Sequence, residues 1–168
     1  MLNKYLYAQD NLSEFIGRTV SWLCLLLMGI LLYEVVARYF FNAPTIWAHD
    51  FSTMVYGTFC ILAGAYTHKH KGHVNSAVVY SLFPKRGQII LDIITGLLGL
   101  IVFSIFFTVV LDFAIDSWSI REVSSKSQWA PPIYPFKMIL PIAVALLFLQ
   151  SLSHLIRDLC SLFNIKTD

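Results

Sequence analysis

The chain has 168 residues, 57% of them hydrophobic and only 13% charged, with a mean hydropathy of +0.68 and a formal net charge of +2. Soluble domains carry about 25% charged residues, so a soluble fold of this size would lack the charge to cover its apolar content. The small net charge, with basic residues in short loops beside apolar runs and no aromatic-interleaved basic patch, gives no basis for nucleic-acid binding.

In chain order, the segment 1–18 mixes Leu2, Tyr5, Leu6, Leu12, Phe15 and Ile16 with charge, which predicts a helix lying in a membrane interface. A first apolar run covers about 18–41. It ends in Glu34 and Arg38, with no small-residue cleavage site, and is read as a retained span. Asn42-Ala43-Pro44 breaks the helix, and a second run follows over about 46–66. A third run covers about 89–118 and a fourth about 135–156. A membrane helix needs about 20 predominantly apolar residues. The runs are too long for strands and show no period-two alternation, so all four are predicted to be transmembrane helices. The fold class is thus an all-α integral membrane protein, a single four-helix domain over 1–168. Between the third and fourth runs, Pro131, Pro132 and Pro135 forbid a regular helix, and Trp129 and Tyr134 are suited to interfacial anchoring.

Loop charge sets the direction. His68-Lys69-His70-Lys71-Gly72-His73 and Pro84-Lys85-Arg86 make the connection between the second and third spans the most basic, hence cytoplasmic. Both termini are then cytoplasmic as well. This places Lys4, Arg18, Lys69, Lys71, Lys85, Arg86, Arg157 and Lys166 inside, against Arg38, Arg121, Lys126 and Lys137 outside.

The ionisable groups gather at the ends of the spans. Glu34 and Arg38, four apart, share a helix face. Arg38 stands six residues before Pro44 and Asp50 six after, so an antiparallel hairpin puts both at one depth and gives Arg38 two candidate carboxylates, Glu34 and Asp50. A charge clamp on the hairpin and a contact with another protein both fit. Asp112 and Asp116 repel at the same spacing and call for a cation, Lys137 or Arg38, or for water. Asp92, near Lys85 and Arg86, is expected to be solvated. His68 or His70 could share a depth with His154 and ligate a haem, but beside headgroups such a His-Lys run is more simply a topology signal. Cys24, Cys60 and Cys160 form no C-x-x-C pair, and neither a phosphate loop nor a nucleophile set appears, so an enzyme is not expected.

The stretch Arg-Tyr-Phe-Phe-Asn-Ala-Pro-Thr-Ile-Trp-Ala-His-Asp resembles the hallmark of the small, DctQ-like membrane subunit of TRAP (tripartite ATP-independent periplasmic) transporters. The matching residues are Arg38, Tyr39, Phe41, Asn42, Pro44, Trp47 and Asp50. Gly64, Ala65, Lys69, His73 and Val74 resemble the family pattern at the end of the second span, and Leu140, Pro141 and Gln150 that of the fourth. Ser76 and Ala77 depart from the hydrophobic-Asp pair that often follows His-Val.

The resemblance implies a multi-pass subunit of a bacterial or archaeal inner membrane that scaffolds a large, M-type transport subunit. That large subunit carries organic acid and sodium, and this chain holds no cofactor of its own. A soluble periplasmic P-type protein delivers the substrate, and membrane lipids surround the complex. On this basis Glu34, Arg38, Tyr39, Asn42, Pro44, Trp47 and Asp50 are candidates for a hairpin lock or subunit contact. Lys69 and His73 belong to the cytoplasmic loop, and Arg121, Lys126, Trp129 and Lys137 are candidates for docking the binding protein. The rival functions are a self-assembling small exporter and a haem-bearing anchor of a redox enzyme.

Overall fold

The computed structural model describes residues 2–70, 83–125 and 128–163. Helices α1 (Leu2–Phe40), α2 (Ala48–Lys69), α3 (Lys85–Ser119), the single turn α4 (Tyr134–Lys137) and α5 (Ile139–Leu162) follow in order. Among the described residues three helical stretches are long and apolar enough to cross a membrane: Lys4–Phe40, Lys85–Ser119 and Tyr134–Leu162. The chain is thus an all-α, multi-pass membrane protein. The 22 residues of α2 would reach about 33 Å at 1.5 Å per residue, but Asp50, His68, Lys69 and several Thr and Tyr dilute its apolar character.

No break separates a surface-lying N-terminal helix from the first span. α1 is one helix of 39 residues, about 58 Å long against a hydrocarbon core of about 30 Å. The polar residues near its start account for the difference from the sequence expectation, because they are spent on neighbouring helices. Ser13 Oγ donates to Gln150 Oε1 at 2.9 Å, and Gln150 Nε2 donates to Asp10 Oδ1 at 3.3 Å. Arg157 donates to the other Asp10 oxygen. Lys69 Nζ meets Glu14 at 2.8 Å. Ser13 and Gln150 are fully buried. This clasp joins one end of α1 to the ends of α2 and α5. It also places Lys69 in the last turn of α2, not in a loop.

α5 is the central helix. It packs against α3 on one side and the α1–α2 hairpin on the other, burying Pro141, Ala143, Val144, Leu146, Gln150, Ser151, Ser153, Leu155 and Cys160. Pro141 is tolerated because it sits in the first turn, where its missing N–H leaves no bond unmade. α3 approaches α5 through Gly96, beside Leu155, and Gly99, beside Ser151, then through Val110, Ala114 and Ser117. Small residues let helix backbones come close where lipid gives no hydrophobic drive to association. Most of the remaining surface of α3 is exposed and apolar. Within the α1–α2 hairpin, Ile30, Ala48 and Val55 form a core with Leu23, Leu27 and Phe51 around it.

Gly17 sets the spacing of that hairpin. A Cβ there would lie 2.2 Å from Cδ2 and 2.5 Å from Cγ of Tyr66, too near the root of the ring to be avoided by a small rotation. Gly29, on the same helix, has nothing within 4 Å of such a Cβ. Gly17→Ala should therefore lower stability by about 1–2 kcal/mol through overpacking. Gly29→Ala should raise it by up to about 1 kcal/mol through helix propensity. Thermal unfolding of the two variants in detergent checks the opposite signs.

Candidate functional site

Apart from Lys69, which belongs to the clasp, the described candidate residues gather at the opposite end of the bundle, where the α1–α2 turn and the 120–133 connection meet. α1 ends at Phe40, and two residues on, Asn42 has a left-handed φ of +48°. Asn tolerates that region better than most residues, which makes it a natural helix terminator. The Ala43 N–H then reaches back to the Ala37 carbonyl at 3.0 Å. Glu34 is the hub of the turn. One oxygen accepts Arg38 Nε at 3.1 Å. The other accepts the Thr45 backbone N–H at 3.2 Å and the Thr45 hydroxyl. The carboxylate thus holds both sides of the break. Thr45 carries no charge and no recognisable spacing, so sequence alone did not single it out.

Trp47 stacks on Tyr33, ring centroids 5.9 Å apart, and meets Phe51 edge-on at 6.2 Å. Tyr39, Asn42 and Pro44 are exposed at the tip. Arg38 takes Glu34, and no ion pair joins it to Asp50. The extended stretch between Asn42 and Trp47 carries Asp50 one turn into α2, facing a cleft shared with Ser124, Ile133 and Phe136. Equal spacing from Pro44 did not produce contact because the connection is not a symmetric hairpin.

The described parts of the 120–133 connection, 120–125 and 128–133, are tied together by backbone bonds. α3 ends in a Schellman motif: the Glu122 N–H bonds the Ser117 carbonyl at 3.0 Å and the Arg121 N–H bonds the Trp118 carbonyl at 3.2 Å. Arg121 occupies the left-handed position, φ +48°, where glycine is usual. The chain then doubles back. The Ser124 N–H bonds the Pro131 carbonyl at 2.9 Å and the Ile133 N–H bonds the Glu122 carbonyl at 2.9 Å. Lys137 pairs with Glu122, which also accepts the Ser117 hydroxyl at 2.7 Å. The same ammonium lies 4.0 Å from the Phe113 ring centroid. Lys137 therefore serves Glu122, leaving Asp112 and Asp116 exposed. Glu122 was not singled out in the sequence because its partner lies fifteen residues away across a loop. Trp129 is exposed at the surface of this connection. Lys126 and His73 lie outside the described residues.

At the clasp end a second cavity of about 360 Å³ is lined by His68, Asp92, His154 and Asp158 among α2, α3 and α5. Asp92 is thus half-enclosed beside two imidazoles. The rings of His68 and His154 meet edge to face at 5.4 Å, and His154 Nε2 lies 3.1 Å from the His68 carbonyl oxygen. His70 turns away to Tyr66 and Glu14.

The model of the tripartite ATP-independent periplasmic transporters, DctQ component, matches residues 27–161. The chain belongs to the DctQ family. The match spans α1 from its middle onward and runs almost to the end of α5, and so takes in the whole hairpin end. A comparison with curated proteins returns no significant match. As a DctQ component the protein is a small, non-catalytic subunit of a TRAP transporter, built as a membrane-spanning helical bundle.

The ion pair with Lys137 and, next, the Ser117 hydroxyl hold the Glu122 carboxyl of this DctQ chain below its ordinary range. A carboxylate lowered in the folded state stabilises above its unfolded pKa, and that contribution is lost as pH falls through the folded value. The connection should therefore stay docked through the ordinary glutamate range, about pH 4.3, and loosen only below it. In a variant whose other three tryptophans are Phe, Trp118 emission reports this docking, since its ring meets Tyr134 at 4.9 Å. Glu122→Gln should loosen the connection at pH 7 and abolish the acid transition. A midpoint at or above the ordinary range would contradict the assignment.

Proposed function

We propose that this chain braces the large membrane subunit of a sodium-coupled, binding-protein-dependent TRAP transporter for organic acids. α2 serves as a fourth span, and both termini lie in the cytoplasm of a bacterial or archaeal cell. The clasp is then the cytoplasmic end, and the hairpin faces the periplasm. The observation that supports this reading most is the family match across the bundle, combined with where the polar groups go. Glu34, Asp10, Glu14 and Glu122 are each tied to a basic partner at one end or the other, which suits a brace. The exposed apolar length of α3 gives a large subunit something to bind.

The test is a pull-down in mild detergent from the native host, with a tag on the C-terminus. Recovery of one much larger membrane protein in equal amount is the expected result. Recovery of the chain alone or only with itself would favour an exporter or an isolated anchor.

The 120–133 connection is proposed to help dock the soluble binding protein through Arg121, Lys126, Trp129 and Lys137. Arg121 allows stability and docking to be separated. A non-glycine residue in the left-handed region costs about 1–2 kcal/mol, so Arg121→Gly should raise the thermal stability of the chain. If Arg121 also contacts the binding protein, the same substitution should weaken its capture by the assembled membrane complex several-fold. Raised stability with unchanged capture would remove Arg121 from the docking surface.

A further inference from the structure

We infer that the cleft at the hairpin end is a socket for a basic side chain, arginine or lysine, of the large membrane subunit, with the Asp50 carboxylate as its acceptor. The inference rests on the small-subunit reading above and adds the chemistry of one contact.

The cleft has a volume of about 550 Å³. Its walls are mainly apolar, from Ile46 and Met54 on one side and Ile133 and Phe136 on the other, with Asp50 among them. Asp50 Oδ2 is buried and has no hydrogen-bond partner among the described residues. The two glutamates at this end already have partners: Glu34 has Arg38 and Thr45, and Glu122 has Lys137 and Ser117. Arg38 and Lys137 are therefore committed elsewhere. A carboxylate oxygen withdrawn from water without a counter-charge is destabilising. The arrangement becomes favourable once a cation from outside enters the cleft.

Two features select the occupant. First, the cleft does not end at Asp50. Met54 and Phe136 also line a second depression of about 330 Å³, which continues past Leu23, Phe51 and Val55. An apolar track thus leads from the carboxylate about one further turn along α2, as far as Thr58 and Ile139. A membrane helix with one basic residue near its end fits both parts, whereas a soluble protein would reach the carboxylate but not the track. Second, the charge has one sign. A zwitterionic phospholipid would bring its phosphate beside Asp50, and among the described lining residues only His49 could offer it a cation. A lysine or arginine side chain carries no such anion.

The chain is co-expressed with the large subunit, and capture of the large subunit is measured for the wild type, Asp50→Asn and Thr53→Trp. Thr53 lies on the exposed rim, so a tryptophan there fills the cleft without touching the charge. Both variants should weaken capture at least about tenfold, as truncating or blocking one side of a buried charge pair does. Asp50→Asn should leave the isolated chain as stable as the wild type, or more so, because it removes an unpaired buried charge. Asp50→Lys should regain capture when one basic residue of the large subunit is changed to glutamate.

Undiminished capture by Asp50→Asn, with the wild type binding normally, overturns the socket while leaving the small-subunit reading intact. If Asp50→Asn does not fold, undiminished capture by Thr53→Trp overturns it instead. If the wild type itself captures no large subunit, both readings fall. Loss of a co-purifying phospholipid with capture unchanged would assign the cleft to lipid. Weakened capture of the soluble binding protein alone would assign it to that partner. If Lys126→Ala and Asp50→Asn each destabilise the isolated chain, the counter-charge lies within the chain and the socket is refuted.

Discussion

The fold depends on a rule that lipid imposes: a polar group withdrawn from water must find its partner within the protein. Gln150 shows it most directly. It sits on the central helix with no exposure, accepting from Ser13 and donating to Asp10, which in turn accepts from Arg157. These bonds fix the height of α1 relative to α5. Lys69 and Glu14 then fix α2 relative to α1. With three helices held in register at one end, the Gly17–Tyr66 contact and the Ile30–Ala48–Val55 core set the spacing between α1 and α2. α3 is attached differently, along a single stripe of small residues facing α5.

The two ends of the bundle are built on different principles. At the clasp end, side chains far apart in sequence meet across helices. At the hairpin end, carboxylates hold backbone turns: Glu34 spans the break between α1 and α2, and Glu122 closes the return after α3. Each glutamate combines one basic residue with one hydroxyl donor, Thr45 or Ser117. That combination orders loops that would otherwise have only their backbone bonds. It also leaves Asp50 with a buried oxygen that has no partner among the described residues, whereas Asp112 and Asp116 are exposed.

Local chemistry was legible in the sequence, and register was not. The all-α membrane character followed from the apolar runs. The pairing of Glu34 with Arg38 followed from helix spacing, and the helix end near Asn42 from turn chemistry, since each depends on residues within one or two turns. The family hallmark lay in the same stretch. The clasp was hidden because Ser13 and Gln150 are 137 residues apart: a serine in an amphipathic lead and a glutamine in an apolar run give no sign of each other. Glu122 was hidden because a loop, not a helix, brings Lys137 to it. The continuity of α1 was missed because its polar start was assigned to headgroups, whereas α2 and α5 supply the partners.

The clasp also carries a consequence for how the protein is made. Asp10 and Ser13 leave the ribosome well before Gln150 and Arg157, their partners across the bundle. α1 and α2 can pair early, since their contacts are near in sequence. Asp10 and Ser13, however, stay unmatched until α5 has been inserted, whereas Glu14 finds Lys69 on α2. α5 is therefore the helix that completes α1. Until α5 is in place, those groups have to be met by water, headgroups or another membrane segment, so the insertion of α5 is the step that commits the start of α1 to its position.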